Sequence, residues 1–211
     1  MTRTRIKICG LTCIEDAQLA VDLGADAVGF VFWPSSPRYI TPERAGVIMA
    51  TLPRFVTAVG VFVNETPDQI GRMVHELGLG AVQLHGDEPV EAWSSAPCQT
   101  IKAVGVDATF DPETLAAWPS TVMPLLDVVD PDHRGGTGRS VDWTLAAAAA
   151  RHRRVVLAGG LRSETVERAI SIVAPYAVDV SSGVERTPGV KDANRMRAFF
   201  AAVARADSGR A

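Results

Sequence analysis

Cys9 and Asp127 are the two residues of this chain that could divide acid–base chemistry between them. Cys9 ends the first apolar, β-branched run at 6–9, and Asp127 ends a later run at 122–127. Facing one pocket, a thiol and a carboxyl could separate proton abstraction from proton donation. A free thiol has a pKa of about 8.5, so a basic Cys9 needs a nearby cation or helix N-terminus. The alternatives are a small buried hydrophobic side chain for Cys9 and a carboxylate that accepts loop N–H bonds for Asp127.

Small and polar residues follow two late apolar runs. Gly159 and Gly160 follow one, and Ser181, Ser182 and Gly183 follow the other. Such residues let backbone N–H groups approach an anion, helped by the N-terminus of a following short helix. Paired glycines can instead simply make tight turns. Because small and polar residues follow both of these runs, the pattern favours a phosphate site.

Arg38 and His85 are two further polar residues at predicted strand ends. Arg38 lies on a loop stiffened by Pro34 and Pro37, where its guanidinium could hold a substrate carboxylate through two hydrogen bonds. An ordinary surface arginine is the alternative. His85 could act near neutral pH or serve as a structural hydrogen-bonding group, and the pattern assigns it no role.

Neither the cysteines nor a glycine-rich segment at 130–138 predicts a metal site or a nucleotide motif. Cys9 and Cys13 are four apart, but no neighbouring histidine or second cysteine pair completes a tetrahedral site. The segment matches neither the Walker pattern nor a dinucleotide motif. We expect it to form a mobile cover or a solvated turn.

Short apolar runs alternate with longer amphipathic stretches along the whole chain. The runs lie at 6–9, 27–32, 58–63, 81–84, 100–104, 122–127, 155–157 and 177–180. They recur about every 24 residues, which suits a strand, a loop and a helix, and this repetition predicts a parallel sheet. Eight units without a dinucleotide fingerprint after the first strand favour closure into a single (β/α)8 TIM barrel over an open sheet. In a barrel the chemistry lies at the carboxyl ends of the strands.

Capping residues predict where several of the helices begin. Residues 12–15 and 66–69 each read as a capping box, in which a hydroxyl accepts from an unpaired helix N–H group. The last helix is predicted from about Asp192, with Met196, Phe199, Phe200 and Val203 at helical spacing against the barrel.

Composition limits the class of protein and its partners. The chain has 211 residues, 47% of them apolar, which predicts one domain over 1–211. The net charge is -3 and the basic residues are scattered, so nucleic acid is not an expected partner. No apolar stretch approaches the ~20 residues of a membrane span. We therefore expect a cytoplasmic protein whose three cysteines stay reduced.

Nine segments together resemble the phosphoribosylanthranilate isomerase family, nearly from end to end. They are 7–12 (KICGLT), 24–27 (GADA), 36–39 (SPRY), 59–62 (VGVF), 83–86 (QLHG), 125–127 (LLD), 135–138 (GGTG), 158–161 (AGGL) and 179–185 (DVSSGVE). The resemblance implies an Amadori rearrangement of N-(5'-phosphoribosyl)anthranilate, a small-molecule substrate, without cofactor or metal. We expect a monomer, with a weak dimer as the alternative.

The resemblance also implies a role for each candidate residue. Protonated Asp127 would donate to the ring oxygen of the sugar, and Cys9 as thiolate would remove the C2′ proton. Arg38 would hold the anthranilate carboxylate. The phosphate would be held by Gly159, Gly160, Ser181, Ser182 and Gly183, with Asp179 in a supporting role beside them.

Two other functions remain open at this point. A histidine-pathway isomerase performs the same rearrangement on another ribotide with two carboxylates, but the first strand here ends in Cys9 rather than an aspartate. A catalytically silent sugar-phosphate-binding barrel would keep the phosphate loops and lose the acid or the base. Both Cys9 and Asp127 are present, which counts against it.

Overall fold

The sheet is a closed barrel of eight parallel strands in the computed structural model, which describes residues 3–93, 96–128 and 141–209. The strands are β1 Arg5–Cys9, β2 Ala27–Val31, β3 Thr57–Phe62, β4 Ala81–Leu84, β5 Gln99–Gly105, β6 Val122–Asp127, β7 Val156–Leu157 and β8 Ala177–Val180. Each strand pairs with the next along the chain, and β8 closes onto β1. The predicted TIM barrel is confirmed, with strand limits within about two residues of the apolar runs.

Six α-helices in the described part of the chain cover the outside of this barrel. They are α1 Ile14–Asp22, α2 Pro42–Met49, α3 Pro67–Leu77, α4 Trp143–His152, α5 Val166–Val173 and α6 Ala193–Ser208. The prediction of a helix after every strand is wrong at two places. In the described part of the chain, β4 and β5 are followed by short 3₁₀ turns at Val90–Trp93 and Pro112–Ala117. Prolines at 89, 97, 112 and 119 bound both turns, and proline cannot continue a helix.

The core lies between the barrel and the helices. In α6 the predicted residues Met196, Phe199, Phe200 and Val203 are all buried, which confirms the last helix. Burial of one such side chain contributes about 1.5–3 kcal/mol. No helix in the described ranges is long and apolar enough to cross a membrane.

One predicted helix cap is confirmed and the other is wrong. The Thr66 hydroxyl accepts from the Gln69 N–H group and caps α3. At α1 the cap position is Cys13, which makes no side-chain cap bond. The Thr12 hydroxyl instead donates to the carbonyl of Gly189, 2.5 Å away. Thr12 therefore ties α1 to a small antiparallel hairpin after β8, formed by β9 Glu185–Thr187 and β10 Val190–Lys191.

The amino-terminal end of the barrel holds a large cavity, on the side opposite the predicted chemistry. Its volume is about 920 Å³, and its lining includes Arg5, Thr57 and Gln99, which begin β1, β3 and β5. Phe55 also lines it and is 99% exposed. This cavity contains none of the predicted site residues.

Candidate active site

Cys9 and Asp127 both face the barrel interior from the carboxyl ends of their strands. Alternate side chains of a strand share a face, and Asp127 shares its face with Leu125, which packs with Val156. Cys9 packs with Val31 and Trp33. Neither cluster contains a helix residue, as expected for side chains inside the barrel. Cys9 is 8% exposed and Asp127 is 9% exposed. The two predicted catalytic groups therefore open onto one end of one barrel.

Cys9 lies among buried charged groups. Lys7, two residues earlier on the same face of β1, is paired with Asp179 of β8 at 2.9 Å. The Lys191 ammonium donates to the backbone carbonyl of Cys9 at 2.5 Å. Burial raises the pKa of the Cys9 thiol above its ordinary value, and the ammonium groups of Lys7 and Lys191 offset part of that rise. The cation that a thiolate requires is thus present in the structure.

Asp127 is held on two sides. Its Oδ1 accepts from the backbone N–H of Val128 at 2.7 Å, and its Oδ2 lies 3.4 Å from Nε2 of His85. The other ring nitrogen of His85, Nδ1, is 2.9 Å from the amide nitrogen of Gln83. His85, to which the sequence assigned no role, therefore lies between Gln83 and Asp127.

Arg38 reaches past the end of β1 to an acidic residue after β8. Its Nε and Nη2 atoms donate to the two carboxylate oxygens of Glu185 at 2.9 and 2.8 Å. Burial acts to raise the pKa of Glu185, but bonds and charges from Arg38 and Lys191 outweigh it, so this pKa is lowered. A Cβ atom on Gly10 would lie 2.6 Å from Cδ of Arg38 and 3.1 Å from Oγ of Ser181. Arg38 is thus beside the ends of β1 and β8, not on the open surface.

The loops after β7 and β8 form one continuous surface. Gly159 and Gly160 have φ values of +73° and +66°, a backbone region that favours glycine. Ser181 precedes the 3₁₀ turn Ser182–Val184 and makes no side-chain cap bond, so its hydroxyl leaves the first N–H groups of that turn uncapped. A Cβ on Gly183 would lie 1.9 Å from the carbonyl oxygen of Leu161. The predicted phosphate-binding residues are therefore brought together.

Gly183→Ala should disrupt this surface, because a methyl group cannot fit against the Leu161 backbone. We expect the variant to raise the KM for the phosphorylated substrate at least about tenfold. It should also lower the free energy of unfolding by about 1–3 kcal/mol. Steady-state kinetics and thermal unfolding measure the two effects. Gly71→Ala in α3 is the matched control, since nothing lies within 4 Å of its Cβ, and it should be neutral or stabilising. Wild-type KM and Tm in Gly183→Ala would contradict this description of the loops.

Three charged residues of the site were missed from the sequence: Lys7, Glu185 and Lys191. Lys7 could have been found, because it is two residues before Cys9 and strand side chains alternate. Glu185 and Lys191 lie on the small hairpin after β8, whose short strands gave no periodic signal. The predicted cover at 130–138 lies outside the described residues.

The closed eight-stranded sheet makes the chain a (β/α)8-barrel protein. Its thiol, its carboxyl group and its small polar loops lie at the carboxyl ends of the strands, where enzymes of this fold have their active sites. The family model for N-(5'-phosphoribosyl)anthranilate isomerase matches residues 6–202. The chain therefore belongs to the phosphoribosylanthranilate isomerase family, as the resemblance implied. Its reaction is the aldose-to-ketose isomerisation of N-(5'-phosphoribosyl)anthranilate in tryptophan biosynthesis.

Individual relatives support the family assignment along nearly the whole chain. An N-(5'-phosphoribosyl)anthranilate isomerase of Geobacter sp. (strain M21) is 48% identical over 200 residues, which is 94% of this chain and 97% of the relative. A dimeric phosphoribosylanthranilate isomerase of Thermotoga maritima, solved as monomers, is similar with a TM-score of 0.85 and 43% identity, covering 95% of this chain and 98% of that one.

A further solved isomerase is in complex with reduced 1-(o-carboxyphenylamino)-1-deoxyribulose 5-phosphate. It has a TM-score of 0.84 and 45% identity to this chain, covering 95% of this chain and 98% of its own. The family match over residues 6–202 sets aside the histidine-pathway alternative.

Proposed function

We propose that Cys9 is the general base and Asp127 the general acid of the isomerisation. Protonated Asp127 gives its proton to the furanose ring oxygen, the C1′–O bond breaks, and an iminium forms. The iminium acidifies the C2′ proton, which the Cys9 thiolate removes, and the resulting enolamine tautomerises to the ketone. The observation that carries this proposal is the shared position of the two groups, both nearly buried and both facing the interior at the carboxyl ends of β1 and β6.

The surroundings of Asp127 suit an acid that must act from a fixed position. The backbone bond from Val128 and the contact with His85 restrict the carboxyl group on both of its oxygens. A positioned acid and base each contribute typically 10²–10⁴-fold to a rate. His85 acts on Asp127 rather than on the substrate in this proposal, and it is a positioning residue.

Arg38 binds the anthranilate carboxylate, supported from behind by Glu185. A guanidinium has more than one pair of parallel N–H groups. Glu185 takes the pair on Nε and Nη2, so the edge formed by Nη1 and Nη2 is the one that a substrate carboxylate can meet. Glu185 thereby fixes the direction of Arg38 before the substrate arrives, which reduces the ordering needed on binding.

Variants of Arg38 and Glu185 test this arrangement. Arg38→Ala should raise KM about 10–100-fold with a smaller change in kcat, because uniform binding of the carboxylate is lost. Glu185→Gln should raise KM by a smaller factor, since the neutral amide holds the guanidinium less firmly. Arg44→Ala is the control, since Arg44 is exposed on α2 and should change neither constant. An unchanged KM in Arg38→Ala would contradict the assignment.

The substrate phosphate binds the loops after β7 and β8, between Gly159 and Gly183. Two consecutive residues with positive φ and the uncapped start of the turn at Ser182 support this assignment, because both arrangements direct backbone N–H groups outward. In this proposal Arg38 holds the carboxylate and the loops hold the phosphate, so the substrate is held by both of its charged groups.

The assay that tests the proposed function follows the fluorescence of the anthranilate conjugate on the purified wild-type protein. We expect the signal to decay far faster than in buffer, with no added cofactor or metal. Decay at the uncatalysed rate would favour the silent sugar-phosphate-binding barrel instead.

We also propose that the protein is cytoplasmic and is a monomer that dimerises weakly at most. Every proposed site residue comes from one chain, so a second copy is not required for the chemistry. The exposed Phe55 lies at the amino-terminal end of the barrel. A dimer like that of the Thermotoga maritima relative, if formed there, would leave the carboxyl end open.

A further inference from the structure

Lys7 is a lysine inside the barrel, and its position needs an explanation. It is 4% exposed and faces the interior two residues before Cys9. A buried ammonium without a partner is very costly. Its partner Asp179 lies directly opposite on β8, in register with Lys7, and is 8% exposed. Replacing such a buried pair with apolar residues is often neutral or stabilising, so the pair is weak evidence for a purely structural role.

The lysine and the thiol share one small space above Gly29. A Cβ on Gly29 would lie 2.9 Å from Sγ of Cys9 and 3.2 Å from Cε of Lys7. Cys9 and Gly29 are in register on β1 and β2, so the absence of a side chain at 29 leaves room for both groups. The end of the lysine side chain is therefore beside the sulfur, while its Nζ is fixed by Asp179.

Charged residues of both signs surround Cys9, and each comes from a different strand. Lys7 on β1 and Lys191 on β10 are positive, while Asp179 on β8 and Glu185 on β9 are negative. From β2 and β3 come the neutral residues Gly29, Val31 and Val61. Lys191 bonds to Glu185 and to the backbone carbonyl of Cys9. The end of the Lys7 side chain, by contrast, lies with the Cys9 sulfur over Gly29.

We infer that Lys7, held in place by Asp179, is the positioning residue that stabilises the thiolate of Cys9 when it removes the C2′ proton. This inference rests on the proposed role of Cys9 as the base. It gives Asp179 a different task from the one expected beside the phosphate: it is the counter-ion that orients Lys7. A lysine in this position lets a buried thiol ionise without exposing it to water.

The charge of Lys7 changes the pKa of Cys9 in a defined direction. Burial disfavours the thiolate of Cys9 and so raises its pKa, and Lys7 opposes that effect. Removing the positive charge should raise the pKa of Cys9 further, and each unit lowers the thiolate fraction about tenfold. Neutralising Asp179 should act in the opposite direction, because Cys9 then becomes a partner that can balance Lys7.

The test measures the pH dependence of Cys9 alkylation by iodoacetamide, in a Cys13→Ser, Cys98→Ser background so that one thiol reacts. We expect Lys7→Met to slow alkylation at pH 7.5 at least about tenfold and Lys7→Arg to stay within about threefold. Asp179→Asn should not slow it. The kcat of Lys7→Met should recover as pH rises, whereas a misfolded variant would not recover. If Lys7→Met is unstable, Lys7→Met with Asp179→Asn keeps the site neutral and should still slow alkylation.

Alkylation that is equally fast in Lys7→Met and wild type, or slowed equally by Asp179→Asn, would overturn the inference. That outcome leaves the proposed function untouched if Cys9→Ala still abolishes turnover. Conversely, wild-type turnover after complete alkylation of Cys9 would contradict the role of Cys9 as the base, whatever the thiol titration shows.

Discussion

Cys9→Ala should lower kcat by about 10²–10⁴-fold, the contribution typical of a positioned base. The C2′ proton then has no acceptor at the carboxyl end of β1, while Arg38 and the phosphate loops still bind the substrate. KM should therefore change little. The fold should survive, because alanine loses one buried atom in contact with Val31 and Val61, a cost of about 1 kcal/mol. Anthranilate fluorescence at saturating substrate measures the effect.

The control for this variant is Cys13→Ala. Cys13 is the half-exposed thiol at the N-cap of α1 and makes no side-chain cap bond there. Its replacement should leave kcat unchanged. A Cys9→Ala enzyme with wild-type kcat would mean that Cys9 is only a small buried hydrophobic residue, the alternative that its sequence context allowed.

Asp127→Asn should also lower kcat by about 10²–10⁴-fold, for a different reason. The amide has the shape of the carboxyl group and can keep accepting from the Val128 N–H at its oxygen. It cannot transfer a proton to the ring oxygen, so ring opening becomes the slow step. The near-identical size makes a folding explanation of the loss weak.

Asp107→Asn is the matched control for the acid. Asp107 lies in the loop after β5, at the same end of the barrel, where its carboxylate accepts from Thr109. It is exposed, and the change should leave kcat as in wild type. Equal losses in Asp107→Asn and Asp127→Asn would point to a general charge effect rather than to acid catalysis.

The fold was predictable because its signals are local and repeated. Eight apolar runs separated by amphipathic stretches predict the order of strands, and their number without a dinucleotide fingerprint favours closure. Helices after β4 and β5 were predicted wrongly because the repeating pattern outweighed the prolines that limit those segments to short turns. The pattern predicts Thr12 as a helix cap, but its hydroxyl donates to the carbonyl of Gly189, 177 residues away along the chain.

The candidate site was predictable at strand ends and less so elsewhere. Cys9, Asp127 and the glycine and serine loops follow directly from where strands stop. The pairing of Arg38 with Glu185 and of Lys191 with the Cys9 carbonyl depends on a hairpin that packs beside the ends of β8 and β1. Such contacts join residues 147 and 182 positions apart, and a periodic pattern contains no information about them.

The most direct test of the mechanism compares Cys9→Ala, Asp127→Asn and the double variant by the fluorescence decay of saturating N-(5'-phosphoribosyl)anthranilate. Base and acid act in successive steps of one reaction, so we expect each single change to impair turnover and the double variant to be about as slow as the slower single one. A single variant that turns over at the wild-type rate would contradict the assignment of the group it lacks.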